Sequence, residues 1–366
     1  MSPFPSDAAV ATLNGASPVV GAGPKSRHVD YVTGESTGQL DSLAFVADAL
    51  SNTTNVILLV GGVLAVTALL AAYFRLAPHI EDIVILRQTL VQYDDLIPWM
   101  LRLSIGLPLV GAGFIGYLFS PSVPFDQAGQ PLLRVGLIGL GFLTLFGLAT
   151  RIVSSLGLAA YLITLAVDPV AILAVEYVPG FLALIVLGGG RPSADHMLQH
   201  VASADGTLYG RVDPVHRLKR FLDDATRPYR RFVPVILRLG LGVSFIYLGL
   251  IQKLGNPAQS LAVVEKYNLT AVVPVEPELW VLGAGLTEMA VGLALIAGVF
   301  TRASAALAFG LFTLTLFGLP DDPVLAHISL FGMASALFIT GAGPWSFDNW
   351  TRRPAVFESE MVVPGT

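Results

Sequence analysis

Nine apolar runs of 15–22 residues follow one another along this 366-residue chain, and they decide most of what it can become. A helix crosses hydrocarbon in about 20 residues, and a spanning segment must satisfy every backbone N–H and C=O internally. The runs are Val56–Tyr73, Pro98–Phe119, Leu132–Ala149, Val153–Val167, Ala171–Gly188, Pro234–Gln252, Leu279–Phe300, Ala303–Leu319 and Val324–Gly341. Composition agrees: 54% of residues are hydrophobic and 13% charged, with a mean hydropathy of +0.70, whereas soluble domains carry about 25% charge. The expected fold is therefore an all-α integral membrane protein of about nine transmembrane helices. With no cysteine in the chain, it has no thiol–disulfide chemistry, iron–sulfur ligation or thiolate metal site of its own.

Nine spans put the two ends on opposite sides. With the N-terminus outside, 16 of the 21 Lys and Arg residues fall on inner segments or inner helix ends. That asymmetry follows the positive-inside rule. It predicts a multi-pass protein of the cell membrane with its N-terminus outside and its C-terminus cytoplasmic. Residues 1–55 read as an outer, mostly disordered tail rather than a signal peptide, with a short helix near Leu40–Leu50; residues 56–77 form a lone span. Residues 78–97 read as an interfacial helix, with Ile80, Ile83, Val84 and Leu90 on one side. Residues 192–233 are a basic inner-side linker, and residues 351–366 an inner-side tail. In the linker, Asp213-Pro214 starts a helix whose Leu218, Phe221 and Leu222 form an apolar stripe beside Arg217, Lys219 and Arg220. That pattern suits the headgroup plane. The aromatic and basic residues that follow, Arg227 to Phe232, suit anionic lipid better than nucleic acid.

The remaining spans repeat. Pro98, Arg102, Gly106 and Gly113 recur as Pro234, Arg238, Gly242 and Gly249 at an offset of 136. Gly141, Gly147, Thr150 and Arg151 recur as Gly292, Gly298, Thr301 and Arg302 at 151. Gly188, Gly190, Ser193 and Asp195 recur as Gly341, Gly343, Ser346 and Asp348 at 153. Residues 98–191 and 234–350 thus read as two tandem four-helix bundles. An even number of spans per copy makes them parallel pseudo-repeats about an axis along the membrane normal. The copies differ in charge: Lys253 and Glu288 of the second stand where the first has Tyr117 and Leu137. The first copy's Glu176 is nearer the outer end of its span and reads as interfacial.

At these residues the chain resembles the DoxX/DoxD family of membrane proteins. The family pattern has an Arg early in helix one, a Gly-x-x-x-Lys ending, a Glu inside helix two, a Gly-x-x-Thr-Arg turn and a glycine-rich Ser-x-Asp close. Arg238, Gly249, Lys253, Glu288, Gly298, Thr301, Arg302, Gly341, Gly343, Ser346 and Asp348 sit on that pattern. The resemblance covers Pro234–Trp350 well and Pro98–Asp195 in degenerate form; the tandem arrangement departs from the family's single unit. It implies a membrane subunit of a redox system, in the form of thiosulfate- or sulfur-linked electron transfer to quinone. With no redox centre visible in the chain, quinone and a soluble or membrane redox subunit are the expected cofactor and partner, beside membrane lipid.

Glu288 stands out on physical grounds as well. An ionised carboxylate at mid-bilayer costs about 2.5–3.5 kcal/mol, so it must be paired, neutralised or set against a cavity. At 1.5 Å per residue, Glu288 lies about 13 Å below the outer end of its helix, and Arg238 about 22 Å below Lys253. The expectation is a charged, partly hydrated pocket formed by Arg238, Lys253 and Glu288. It would receive a quinone headgroup or an anionic substrate, with Glu288 handling the proton. The alternatives are a buried ion pair that sets helix register, with the cations snorkelling, in a non-catalytic scaffold or accessory protein, and a small-molecule transporter. Of six histidines only His327 falls in a span, which argues against a bis-His haem. His327 beside Asp321 and Asp322 lacks the company of a metal site. Gly188-Gly-Gly190 follows a span and lacks Gly-Lys-Ser/Thr, so it reads as a helix end rather than a phosphate loop. Ser193/Asp195 and Ser346/Asp348 read as caps.

Overall fold

The computed structural model describes residues 41–76, 80–126, 128–212 and 215–350. Expectations placed on the outer tail before residue 41, on residues 77–79, on Asp213-Pro214 and on the inner-side tail, residues 351–366, lie outside the described residues. Among the described residues the chain is helical and contains no strand. Six helices are long and apolar enough to cross a membrane. Three predicted runs form shorter helices, of 16, 11 and 17 residues. The shortest is explained locally: Asp168-Pro169 opens a 3-10 turn over Pro169–Ala174, whose first amide is capped by Asp168, so the first six residues of that run, Ala171 to Glu176, are not α-helix.

Helix α1 is Ser42–Ser51 and α2, the lone span, is Thr53–Leu76. Helix α2 lies beside the main body and is tied at both ends. Asn52 and Asn55 donate to Glu276 Oε2, and Tyr73 meets Phe300 edge-on at 5.0 Å. The stretch between is largely exposed, as an apolar helix facing lipid should be. The interfacial segment is α3, Glu81–Val91, whose Arg87 donates to the Tyr73 hydroxyl.

The first unit comprises α4 (Ile97–Ile115), α5 (Pro131–Phe146), α6 (Thr150–Val167) and α7 (Tyr177–Leu187). The linker carries α8 (Ala194–Ser203), α9 (Leu208–Val212) and α10 (Val215–Thr226). The second unit opens with α11 (Val233–Ile246), which continues as a π-helix over Tyr247–Leu254. Its long loop contains α12 (Pro257–Lys266), and then come α13 (Pro277–Ala297), α14 (Thr301–Gly318) and α15 (Val324–Thr340). The loop is anchored rather than loose. Val264 and Leu269 pack with Val281 and with Phe45 of α1, while Lys266 and Tyr267 both hydrogen-bond Asp321 Oδ2 at 2.8 Å. Those two bonds, Lys266 first, hold the Asp321 carboxyl below its ordinary range.

Both units close the same way at one end, called here the arginine end. Arg102 donates to Leu145 O and Pro192 O; Arg238 donates to Ile296 O and Trp345 O. Asp195 accepts from the amides of Ala149 and Thr150, and Asp348 from those of Phe300 and Thr301, at 2.6–2.9 Å. Ala149 and Phe300 share a left-handed conformation, with φ of 49° and 50°. Each aspartate thus neutralises the positive helix end that follows a tight turn.

The units are interlocked rather than standing as two separate bundles. Helix α15 packs on α4, and α7 on α11, so each unit's last helix lies against the other's first. One continuous core runs through both, from Leu101 and Ile105 to Leu241, Met333 and Leu337. Small residues permit the close approach: a Cβ on Gly332 would meet the Ser104 side chain at 2.1 Å, and one on Gly240 would meet Pro179 at 2.1 Å.

Candidate functional site

The opposite end of the second unit, the lysine end, carries the charged constellation. Gly249 packs against α13 so closely that a Cβ there would lie 2.5 Å from the Gly285 carbonyl. Beyond it the chain does not stop, as α4 does at the left-handed Gly116, but continues as the π-helix. A π segment shifts the residues that follow it around the helix axis, and such segments gather at functional sites. Here it carries Lys253 toward α13. The ammonium donates to both oxygens of Glu288, at 2.6 and 2.7 Å. The side chains keep 28% and 17% of their exposure, so the pair is largely but not wholly removed from solvent.

The pair lines a cavity of about 120 Å³. Its walls are mainly apolar, with Phe245, Trp280, Leu311 and Phe312 among them, and its polar groups besides the pair include Gln252, Ser260, Asp322 and His327. Gln252 is 5% exposed and donates to the Tyr247 hydroxyl, but its Oε1 is buried and accepts no bond. An apolar chamber with a few convergent polar groups is the usual form of a small-molecule site.

Arg238 takes no part in this chamber, contrary to the sequence expectation. It is 2% exposed at the arginine end, where its guanidinium meets the carbonyls of Leu295, Ile296, Pro344 and Trp345. The reason is the C-terminus of α13, whose last carbonyls have no helical partner and take the cation. Arg102 does the same in the first unit, so this arginine closes the four-helix unit. The structure therefore brings together Lys253 and Glu288 and leaves Arg238 out.

Residues that sequence reading treated singly acquire company here. His327 Nδ1 lies 3.2 Å from the Pro323 carbonyl and Nε2 lies 3.5 Å from Asp322 Oδ2. Both side chains are nearly buried, at 8% and 5% exposure. Among the described residues no group of three or more His, Cys, Asp or Glu side chains is placed to hold a metal. Glu176, expected at an interface with lipid or solvent, is instead buried between the two units, and its Oε1 accepts from Ser329 Oγ of α15 at 3.2 Å. The positions aligned with Lys253 and Glu288, Tyr117 and Leu137, are part of the apolar core. Gly188 ends α7 with φ 76°, and Ser193 caps α8 through the His196 amide. His196 and His200 stack edge-on at 4.6 Å along α8.

The segment that builds the chamber, from α11 through α14, carries the arginine, the lysine, the mid-helix glutamate and the Thr301-Arg302 turn in one order. Residues 233–321 match the family model DoxX. The DoxX segment thus contains Arg238, Lys253 and Glu288, while α15, with His327, lies beyond the matched residues. No curated protein and no solved structure matches the chain. A multi-pass helical membrane protein carrying a DoxX segment is what fold and family together establish.

Proposed function

We propose that this protein is the membrane subunit of a redox system in which the Lys253–Glu288 chamber receives the polar head of a quinone. The observation that carries the reading is the setting of Glu288: the carboxylate faces a cavity with its cation beside it, rather than lipid or Arg238. The chamber suits such a headgroup. The Lys253 ammonium can donate to a carbonyl oxygen, the aromatic and aliphatic walls suit a ring, and the unsatisfied Gln252 Oε1 can accept from a ring hydroxyl. When bound, a quinone supplies two-electron acceptance coupled to proton uptake. Of the chain's own groups, the Glu288 carboxylate takes up and hands on that proton at one of the two oxygens that accept from Lys253. Electrons come from a partner subunit, and a thiosulfate- or sulfur-linked donor is the form the DoxX/DoxD resemblance implies.

The same reading orients the chain with the lysine end outside and the C-terminus cytoplasmic, because the basic residues concentrate at the arginine end and the linker. The test uses full-length protein extracted in mild detergent and reconstituted with a ubiquinone or menaquinone analogue. Wild type should retain quinone, and Glu288→Gln and Lys253→Met should each lower retention about tenfold or more. Equal retention by all three, with unchanged folding, sinks the proposal and leaves the pair as a structural lock.

A further inference from the structure

We propose that the arginine end of the first unit holds a second ligand site, for a zwitterion that joins a phosphate to a primary ammonium, as an ethanolamine phospholipid headgroup does. The protein's cavities differ in size and character. The Lys253–Glu288 chamber holds about 120 Å³ and a pocket beside Glu176 at the seam about 40 Å³, whereas the cavity at this end holds about 550 Å³. It lies among the start of α6, the glycine turn at 188–191, α8, the end of α10 and the Asp94-Asp95 step before α4.

The lining carries both signs of charge, and its bonds sort them into committed and uncommitted groups. Asp195 is occupied by the amides of Ala149 and Thr150. Asp223 meets Arg151 at 2.8 Å and, more loosely, Arg230 at 3.3 Å. What remains is Arg191 from the glycine turn, with Asp94 and Asp95 from the step before α4. Among the described residues none of the three makes an ion pair or a side-chain hydrogen bond, although Arg302 lies near enough to attract Asp94. The turn is pressed against that step: Gly190 has φ 63°, and a Cβ there would lie 2.5 Å from Pro98. This combination is particular to the first unit. At the offsets that relate the copies, Arg191 corresponds to Pro344 and Asp94-Asp95 to Arg230-Arg231.

A pure anion would meet Asp94 and Asp95, and a pure cation would leave Arg191 unmatched. A ligand with both charges answers both: phosphate takes the planar donors of arginine in pairs, and a primary ammonium has three hydrogens to donate to carboxylates. The surroundings fit the lipid form. Ile152 lines the cavity and is 48% exposed, and Leu156, Ile163 and Val167 continue along the same exposed face of α6. An acyl chain can follow that track from a headgroup seated in the cavity.

The site depends on neither the quinone reading nor the direction of insertion. The experiment offers delipidated full-length protein phosphatidylethanolamine and phosphatidylglycerol of identical chains, in equal amounts, and reads retention by native mass spectrometry. Wild type should retain the ethanolamine lipid about tenfold better. D94N/D95N, which keeps size and removes charge, should abolish the preference. R191Q should lower retention of both lipids and leave the preference in place. No preference in wild type, or one that survives D94N/D95N, overturns the proposal. If D94N/D95N is not monodisperse, R191Q decides, and undiminished retention there overturns it. Competition separates the sources. Displacement by free O-phosphoethanolamine assigns the site to a soluble zwitterion, and retention undisturbed by it supports the lipid. Equal displacement by ethanolamine, which has no phosphate, overturns a site for both charges.

Discussion

Replacing Lys253 by methionine would leave the Glu288 carboxylate in a largely apolar chamber, with Lys253 no longer donating to its two oxygens. Breaking one side of a buried pair costs more than exchanging both sides, because the orphaned charge keeps its desolvation penalty. Discounted for the residual exposure of both side chains, K253M should lower stability by about 1–3 kcal/mol. K253M/E288M should recover most of that loss, since two well-packed apolar groups of similar volume replace the pair. Thermal unfolding in one detergent across the four proteins of the cycle measures the coupling. Strict additivity would show that the two charges do not feel each other. Arg238 obeys different rules, because its partners are carbonyls that remain whether or not the cation is there.

At the scale of elements, the two aspartates that follow the glycine turns act as caps on distant helix starts, α6 and α14. Each accepts two backbone amides. Asp195→Ala and Asp348→Ala should each cost about 1–2 kcal/mol, the scale of a lost N-terminal cap. Because the two sites lie in different units, the double variant should show the sum. Unfolding midpoints measure this, and a loss in one variant only would show that the two turns are not equivalent. Much of this layer is legible in the chain itself. In a protein with 13% charge, Arg102, Arg238, Asp195 and Asp348 stand out against apolar neighbours, and their spacing reports the repeated turn. Lys253 and Glu288 stand out for the same reason. The assignment of Arg238 to their site fails because rise per residue gives depth but not direction around the helix, and because the carbonyls at the end of α13 carry no side-chain signal. Gln252, Asp322 and His327 are missed as chamber residues for a related reason. The π-helix over Tyr247–Leu254 leaves no mark on apolar periodicity, and nothing local says that α15 comes to that side. Glu176 looks interfacial because the apolar run Ala171–Gly188 reads as one continuous helix, whereas a 3-10 turn over Pro169–Ala174 precedes it and the side chain is buried between the units.

For the whole molecule, the consequential feature is the exchange of partners between the units. Had each been a closed bundle, residues 98–191 and 234–350 could fold apart, and the second would carry the chamber by itself. Instead α15 lies against α4 and α7 against α11, with the Gly332–Ser104 and Gly240–Pro179 contacts leaving no room between them. Each unit alone exposes a face that in the intact protein touches the other backbone, and the small cavity at Glu176 exists only when both are present. Helices associate in lipid through such close packing rather than through exclusion of water. A chain cut in the linker between α9 and α10 should therefore reassemble when both pieces are made together, since the linker supplies connection and not core. Either piece made alone should be degraded or aggregate. Affinity capture of a tag on one piece, with the other scored in the eluate, measures this. The Lys253–Glu288 chamber should return with reassembly, so quinone retention in the recaptured complex should match the uncut protein. Capture of a stable, monodisperse C-terminal piece without its partner would contradict the shared core.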